Sequence, residues 1–219
     1  MSELQELLNY VTNCLNSYGL CVLDNFLGYI LAKEVQKEVN SIINLQPFVE
    51  GQVLSTNPSI RGDKITWVEG DEKYCYFIRN YIKKVDSIVY ECKTDLAKNI
   101  SGRTKAMISI YPRNGTKYLK HVDNPYKDGR CITTIYYLNN DWDRERDGGC
   151  LRLYPSMIDA EPIIEPMFDR LILFWSDSRN PHEVEPSFRT RFAITVWYLD
   201  EDEIKTSNQE CKYQIIKRE

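Results

Sequence analysis

Near the start of the chain, Leu4, Leu7, Leu8, Val11 and Leu15 recur at helical spacing, and Tyr18-Gly19 supplies the stop. Residues 20–23 are apolar throughout and read as a short strand. A second stripe, Leu31, Val35, Val39, Ile42 and Ile43, predicts another amphipathic helix, with Pro47 beyond its end. A third runs through Tyr74, Phe77, Ile78, Tyr81, Ile82, Val85, Ile88, Val89, Cys92 and Leu96 and predicts a long helix. Each stripe has one apolar face, so the three helices are expected on the outer face of a sheet. Between the second and third lies a strand–loop–strand, 49–54 and 64–68, whose connection 55–63 is polar and rich in turn residues. A long polar connection in a compact domain reads as a lid.

From residue 105 the period changes to short β-runs: 105–111, 118–121, 131–138, 150–153, 163–165, 170–175, 182–184 and 189–199. The turns between them carry Pro112-Arg113-Asn114-Gly115, Asp128-Gly129, Asp147-Gly148-Gly149 and Ser178-Arg179-Asn180-Pro181. Short strands after a helical block predict an α+β fold with a mainly β core: a double-stranded β-helix (jelly roll) with N-terminal supporting helices, whose mouth can hold a ligand. The expected organisation is one domain over 1–219. Residues 1–104 form the helical support and lid, 105–199 the jelly-roll core, and 200–219 a C-terminal tail.

Composition narrows the function classes. The net charge is −4 and the basic residues are interspersed with acids, so no nucleic-acid footprint is expected. No signal peptide or bilayer-spanning run is read. Seven cysteines, an odd number without a Cys-x-x-Cys spacing, fit free thiols in a reducing compartment. Cys14 and Cys21 are either redox-sensitive or buried and inert. The two glycosylation triplets, at Asn99 and Asn114, would go unused there. Two histidines and scattered cysteines offer no closed zinc site.

Those two histidines carry the chemistry. His121 and Asp123 form a His-x-Asp, and His182 follows sixty-one residues after the first. This is the sequence form of the 2-His-1-carboxylate triad of non-haem Fe(II) oxygenases. In extended chain, residues i and i+2 point the same way, so His121 and Asp123 could reach one metal. The alternative is a surface histidine beside a turn aspartate. Further on, alternation puts Arg191, Ala193, Thr195 and Trp197 on one face of the last strand. An inward guanidinium needs a partner: a bound carboxylate, or a structural aspartate such as Asp123 or Asp169. Cys131, Thr133, Ile135 and Tyr137 share a face, as do Met107, Ser109 and Tyr111, and their tyrosines could complete a polar socket.

These residues, with Tyr111-Pro112, Asn114-Gly115-Thr116, His121-Val122-Asp123-Asn124-Pro125, Asp128-Gly129-Arg130-Cys131, Phe174-Trp175-Ser176-Asp177 and the run from Ile60 to Trp67, closely resemble the hypoxia-inducible-factor prolyl hydroxylases of the Fe(II)/2-oxoglutarate oxygenase superfamily. The likeness covers roughly residues 5–203. It implies His121, Asp123 and His182 as Fe(2+) ligands, and Arg191 with Tyr137 on the distal carboxylate of 2-oxoglutarate. Tyr111 and Thr195 would line the co-substrate pocket, with Met107, Ile135, Leu151 and Trp197 as its apolar wall. Arg130 and Trp197 would meet the substrate at the mouth, and Arg61 and Asp63 would lie in the loop that folds over the peptide. The implied reaction is 4-hydroxylation of a prolyl residue in a transcription-factor α-subunit. It would use 2-oxoglutarate and O2 as co-substrates and L-ascorbate as reductant. A monomer is expected, in cytoplasm or nucleus, with no nucleic-acid or membrane partner and no preceding zinc module. Arg113 replaces a common family Gly, and the loop before Ile60 is short. The rival readings are a prolyl hydroxylase of another protein, such as a ribosomal protein or elongation factor, and a non-enzymatic jelly-roll binding module.

Overall fold

The computed structural model describes residues 2–51 and 61–207, and the backbone of 215–217. Along the chain come α1 (Glu3–Tyr18), β1 (Leu20–Leu23), α2 (Tyr29–Leu45), β2 (Val49–Glu50), β3 (Lys64–Val68) and α3 (Tyr76–Cys92). The core follows as β4 (Ile100–Thr104), β5 (Ala106–Tyr111), β6 (Thr116–His121), β7 (Arg130–Tyr137), α4 (Arg144–Asp147), β8 (Leu151–Leu153), β9 (Ile163–Ile164), β10 (Arg170–Trp175), β11 (His182–Ser187) and β12 (Arg191–Asp200). Then come α5 (Glu201–Thr206) and β13 (Ile215–Lys217).

Local chemistry explains the helix ends. Ser2 caps α1 by accepting from the Gln5 N–H, and Gly19 closes it in the left-handed region at φ 79°. Gly28 offers α2 no side-chain cap. The Asp169 carboxylate, from the turn before β10, instead accepts the N–H groups of Leu27 and Gly28, each at 2.8 Å. The same carboxylate accepts the Tyr136 hydroxyl at 2.7 Å.

Two antiparallel sheets form the jelly roll. The larger runs β1-β10-β7-β12-β5-β3-β2, with β4 also on β12, and the smaller runs β6-β11-β8-β9. Between them pack Tyr111, Ile135, Tyr137, Ile172, Phe174 and Ala193 of the large sheet against Leu151, Leu153, Ile164 and Val184 of the small one. On the other face of the large sheet, Ile108, Ile132, Tyr136, Leu171, Leu173, Ile194, Val196 and Tyr198 meet the buried stripes of the three long helices. The helices therefore back the sheet as the sequence predicts. Ile194 is fully buried in this layer. Ile194→Ala should cost about 2–5 kcal/mol, read as a lower denaturation midpoint in a variant that still binds metal.

The structure departs from the sequence reading in several places. Strand β4 was not expected, because Gly102 and Arg103 interrupt its alternation; pairing with β12 supplies the order. Helix α3 is shorter than the stripe over 74–96, although Leu96 still packs into the core beyond its end. Cys131 does not stay with Thr133. A register shift between Tyr198 and Leu199 breaks the alternation, and Cys131 joins the helix-side core with its thiol donating to the Tyr198 carbonyl. Of the strand expected over 49–54, residues 52–54 lie outside the described residues, as do residues 55–60 of the loop and Cys211. The other six cysteines are free and buried, and burial above all pushes the Cys21 thiol well up, which favours the inert reading of Cys21. Among the described residues no helix is long and apolar enough to cross a membrane.

Candidate metal and co-substrate site

β6 and β11 are neighbours in the small sheet, and their register places His182 opposite His121. The chain leaves β6 at His121, so Asp123 falls just beyond the strand and turns inward. The three side chains thereby offer one ligand atom each, all within 4.8 Å of one another. His121 Nε2 lies 3.6 Å and His182 Nε2 3.8 Å from Asp123 Oδ1.

The remaining polar atoms of these side chains are already held. His121 Nδ1 is 2.8 Å from the Leu119 carbonyl, and His182 Nδ1 is 3.0 Å from the Asn180 carbonyl. A carbonyl can only accept, so each Nδ1 carries a proton, and each Nε2 is the atom turned toward the shared metal position. Asp123 Oδ2 accepts from Thr133 Oγ1 at 2.7 Å and from Trp197 Nε1 at 3.0 Å, which leaves Oδ1 toward the histidines. Rings fix the imidazole planes: Tyr118 stacks on His121 at 3.6 Å, and Phe174 meets His182 edge-on at 4.8 Å.

Electrostatics sets the protonation a metal requires. Burial, reinforced by His121, pushes the His182 imidazole down to about 4, so it is neutral at physiological pH. Burial works against the Asp123 carboxylate, but His182 and His121 outweigh it, and the carboxyl falls well below its usual range. The donor set therefore fits a divalent iron: two imidazoles and one carboxylate on one side, with no fourth ligand from the described residues.

Arg191 opens β12 in register with Tyr111 of β5, and Tyr111 shares the core between the sheets with Phe174, the ring that meets His182. It is 2% exposed. Its Nη2 donates to the Tyr137 hydroxyl at 3.1 Å, and its guanidinium carbon lies 4.8 Å from the ring centres of both Tyr111 and Tyr137. Arg191 Nε has no hydrogen-bond partner among the described residues. Neither aspartate weighed as its partner is available. Asp169 serves the start of α2 and Tyr136, and Asp123 serves Thr133, Trp197 and the histidines. A buried cation with an unsatisfied donor fits a carboxylate guest, as 2-oxoglutarate would provide.

The chain matches the model of the 2OG-Fe(II) oxygenase superfamily over residues 106–199. It is 49% identical over 201 residues to rat Egl nine homolog 1, covering 90% of this chain and 60% of that protein. Human prolyl hydroxylase EGLN3 is 45% identical over 202 residues, covering 90% of this chain and 84% of that protein. The chain belongs to the hypoxia-inducible-factor prolyl hydroxylase family. A solved member of that family, the Trichoplax adhaerens prolyl hydroxylase in complex with a hypoxia-inducible-factor oxygen-degradation-domain peptide fragment, superposes with a TM-score of 0.90 at 45% identity, over 94% of this chain and 95% of that one. The chain spans 60% of the rat Egl nine homolog 1 and 47% of the human one.

Against the roles this family implies, Tyr111, Ile135, Tyr137 and Leu151 lie together in the core between the sheets. Met107 and Trp197 form a separate small cluster with Ile65, packed against Trp67. Thr195 is buried on the inward face, beside Ile135 and Met107 on the flanking strands. Arg130 is gripped by Asp128, Nη2 to Oδ2 at 2.6 Å, and its guanidinium lies 5.7 Å from the centre of the Trp197 ring. Arg61 makes a bidentate pair with Asp63, at 2.6 and 2.9 Å, and lies over Tyr118 at 4.9 Å. Asp63 is fully buried, so any effect it has on a peptide passes through Arg61. Sequence reasoning missed Tyr118, Phe174, Thr133 and the polar use of Trp197. An aromatic three residues before His121 was the one visible signal for Tyr118.

Proposed function

We propose that this chain catalyses the 2-oxoglutarate- and O2-dependent 4-hydroxylation of a prolyl residue in a hypoxia-inducible-factor α-subunit. The observation that carries the reading is the convergence of His121 Nε2, His182 Nε2 and Asp123 Oδ1, in a fold whose inter-sheet core also holds the buried, incompletely satisfied Arg191 against Tyr111 and Tyr137. The substrate class is supported by the peptide in the Trichoplax adhaerens complex.

When bound, Fe(II) with 2-oxoglutarate and O2 supplies the oxidation, releasing succinate and CO2 and giving trans-4-hydroxyproline. The protein contributes the rest. Thr133 and Trp197 fix one oxygen of Asp123, so the carboxylate presents the other without turning. Arg191 binds the distal carboxylate of the co-substrate, with the Tyr137 phenol beside it. Burial raises the Tyr137 phenol, which therefore stays a protonated donor. Ile135 and Leu151 keep water from the co-substrate. Trp197 and Arg130 flank the mouth where the proline enters. L-ascorbate as reductant, a monomeric state, and a cytoplasmic or nuclear location complete the reading.

Tandem mass spectrometry tests it. Proline-containing peptides from a hypoxia-inducible-factor α-subunit, a ribosomal protein and an elongation factor are incubated with the chain, Fe(II) and 2-oxoglutarate. One added oxygen on a proline of the first peptide is expected; modification confined to the other two would transfer the activity to another substrate. A chain that takes up no Fe(II) would revive the binding-module reading.

The loop reading gives a separate expectation. Arg61 touches Tyr118, which stacks on His121, so Arg61 is tied to the metal site. Arg61→Ala, or replacement of residues 55–60, should impair peptide hydroxylation while peptide-free turnover of 2-oxoglutarate persists. Equal loss of both would point to a folding defect and remove the lid role.

A further inference from the structure

The turn that joins the metal ligands to the mouth holds a buried amide with no assigned role. Asn124 follows Asp123 directly and is 4% exposed. Its backbone N–H donates to the Ser176 carbonyl at 2.8 Å. Its side-chain Oδ1 accepts the Asp128 N–H at 2.8 Å, and its Nδ2 donates to the Arg130 carbonyl at 2.8 Å and to Glu203 Oε2 of α5 at 3.0 Å. One side chain thus closes the turn between residues 124 and 130. The far end of that turn admits no side chain: Gly129 has φ +99°, and a Cβ there would meet Ile204 of α5 at 2.3 Å.

The contacts form a closed circuit. Asp128 grips the Arg130 guanidinium, Arg130 lies over Trp197, Trp197 donates to Asp123, and Asp123 is bonded covalently to Asn124. Ser176 completes a second path, since its hydroxyl is 2.8 Å from that of Thr133, which holds Asp123. The candidate metal ligand Asp123 and the Arg130 guanidinium are therefore linked through the turn that this amide closes.

We propose that Asn124 is a positioning residue that sets Asp123 for the metal and Arg130 for the peptide as one unit, with Glu203 as its strut. The peptide half rests on the function proposed above; the metal half does not. Partners that orient a ligand typically change metal affinity about 10- to 100-fold when lost. A polar network of this kind is apportioned by a double-mutant cycle.

The experiment uses the full chain and reads binding rather than turnover. Co(II) affinity is followed by absorption of the apo protein. Affinity for a fluorescent proline-containing peptide of a hypoxia-inducible-factor α-subunit is followed by anisotropy, with Fe(II) and 2-oxoglutarate bound under anaerobic conditions. Asn124→Ala should weaken Co(II) binding about 10-fold and weaken peptide binding. In an Arg130→Ala background the same change should leave peptide binding where Arg130→Ala alone put it, while the Co(II) loss remains. Additive peptide losses, or unchanged affinities with only a lower melting temperature, would overturn the proposal. Glu203→Ala, on the partly exposed α5, decides the matter if Asn124→Ala does not fold: about threefold weaker peptide binding is expected for one lost hydrogen bond, and no change refutes the strut. A wild-type chain that ignores the peptide would sink the proposed substrate, yet the Co(II) arm would still judge Asn124.

Discussion

Alanine at His121, Asp123 or His182 should nearly abolish turnover while leaving the fold in place. Each of the three supplies one of the converging ligand atoms, and the described residues provide no substitute nearby. Losing an outer partner of a ligand already costs about 10- to 100-fold, so losing the ligand itself should exceed that. None of the three belongs to a hydrophobic core cluster, and the sheets are held by residues such as Ile194 and Leu153 instead. Asp123→Ala should differ from the histidine variants in one respect: it leaves the buried Thr133 hydroxyl and Trp197 indole facing a vacated acceptor, and so lowers the melting temperature more than His121→Ala at the partly exposed edge. The check is Fe(II) uptake per chain, hydroxylation at saturating Fe(II) and the circular dichroism spectrum, measured together. Near-wild-type hydroxylation in all three variants would show the triad assignment to be wrong.

The elements that carry this site were legible because their signals are local. Period-two alternation in β12 puts Arg191, Ala193 and Trp197 inward and Ile194, Val196 and Tyr198 toward the helices, as the three core clusters and the bond from Arg191 to Tyr137 show. The ligands stood out because the chain has only two histidines and one of them sits two residues before an aspartate. What stayed hidden depends on register. Thr133 and Trp197 were each placed on an inward face, but only the pairing of β7 with β12 makes them neighbours that share one oxygen of Asp123. No spacing in the sequence fixes that pairing, since a shift by two residues would preserve every face. Cys131 failed for the same reason, because a register shift is invisible in an alternating pattern. Strand β4 was missed because a strand containing Gly102 and Arg103 takes its order from its neighbours more than from its own residues.

Arg191→Ala should raise the Michaelis constant for 2-oxoglutarate by roughly a hundredfold to a few thousandfold. Breaking a buried charge pair by removing one partner costs about 3–5 kcal/mol, and each 1.4 kcal/mol is a factor of about ten. Tyr137→Phe removes one hydrogen bond to the same guanidinium, so its effect should be nearer about tenfold or less. Arg191→Lys should fall between, because an ammonium keeps the charge but loses the planar fork. Stability separates this role from a structural one. Without co-substrate, Arg191 is a buried cation whose Nε is unsatisfied and whose visible support is a phenol and two aromatic faces. Removing it should therefore cost the free protein little beyond lost packing, and should eliminate the rise in melting temperature that 2-oxoglutarate gives the wild type. A structural ion pair predicts the reverse: a large loss in the free protein and an intact shift with co-substrate. Thermal melts of wild type and Arg191→Ala, each with and without 2-oxoglutarate in the presence of Mn(II), distinguish the two, and an unchanged 2-oxoglutarate requirement would return Arg191 to the scaffold.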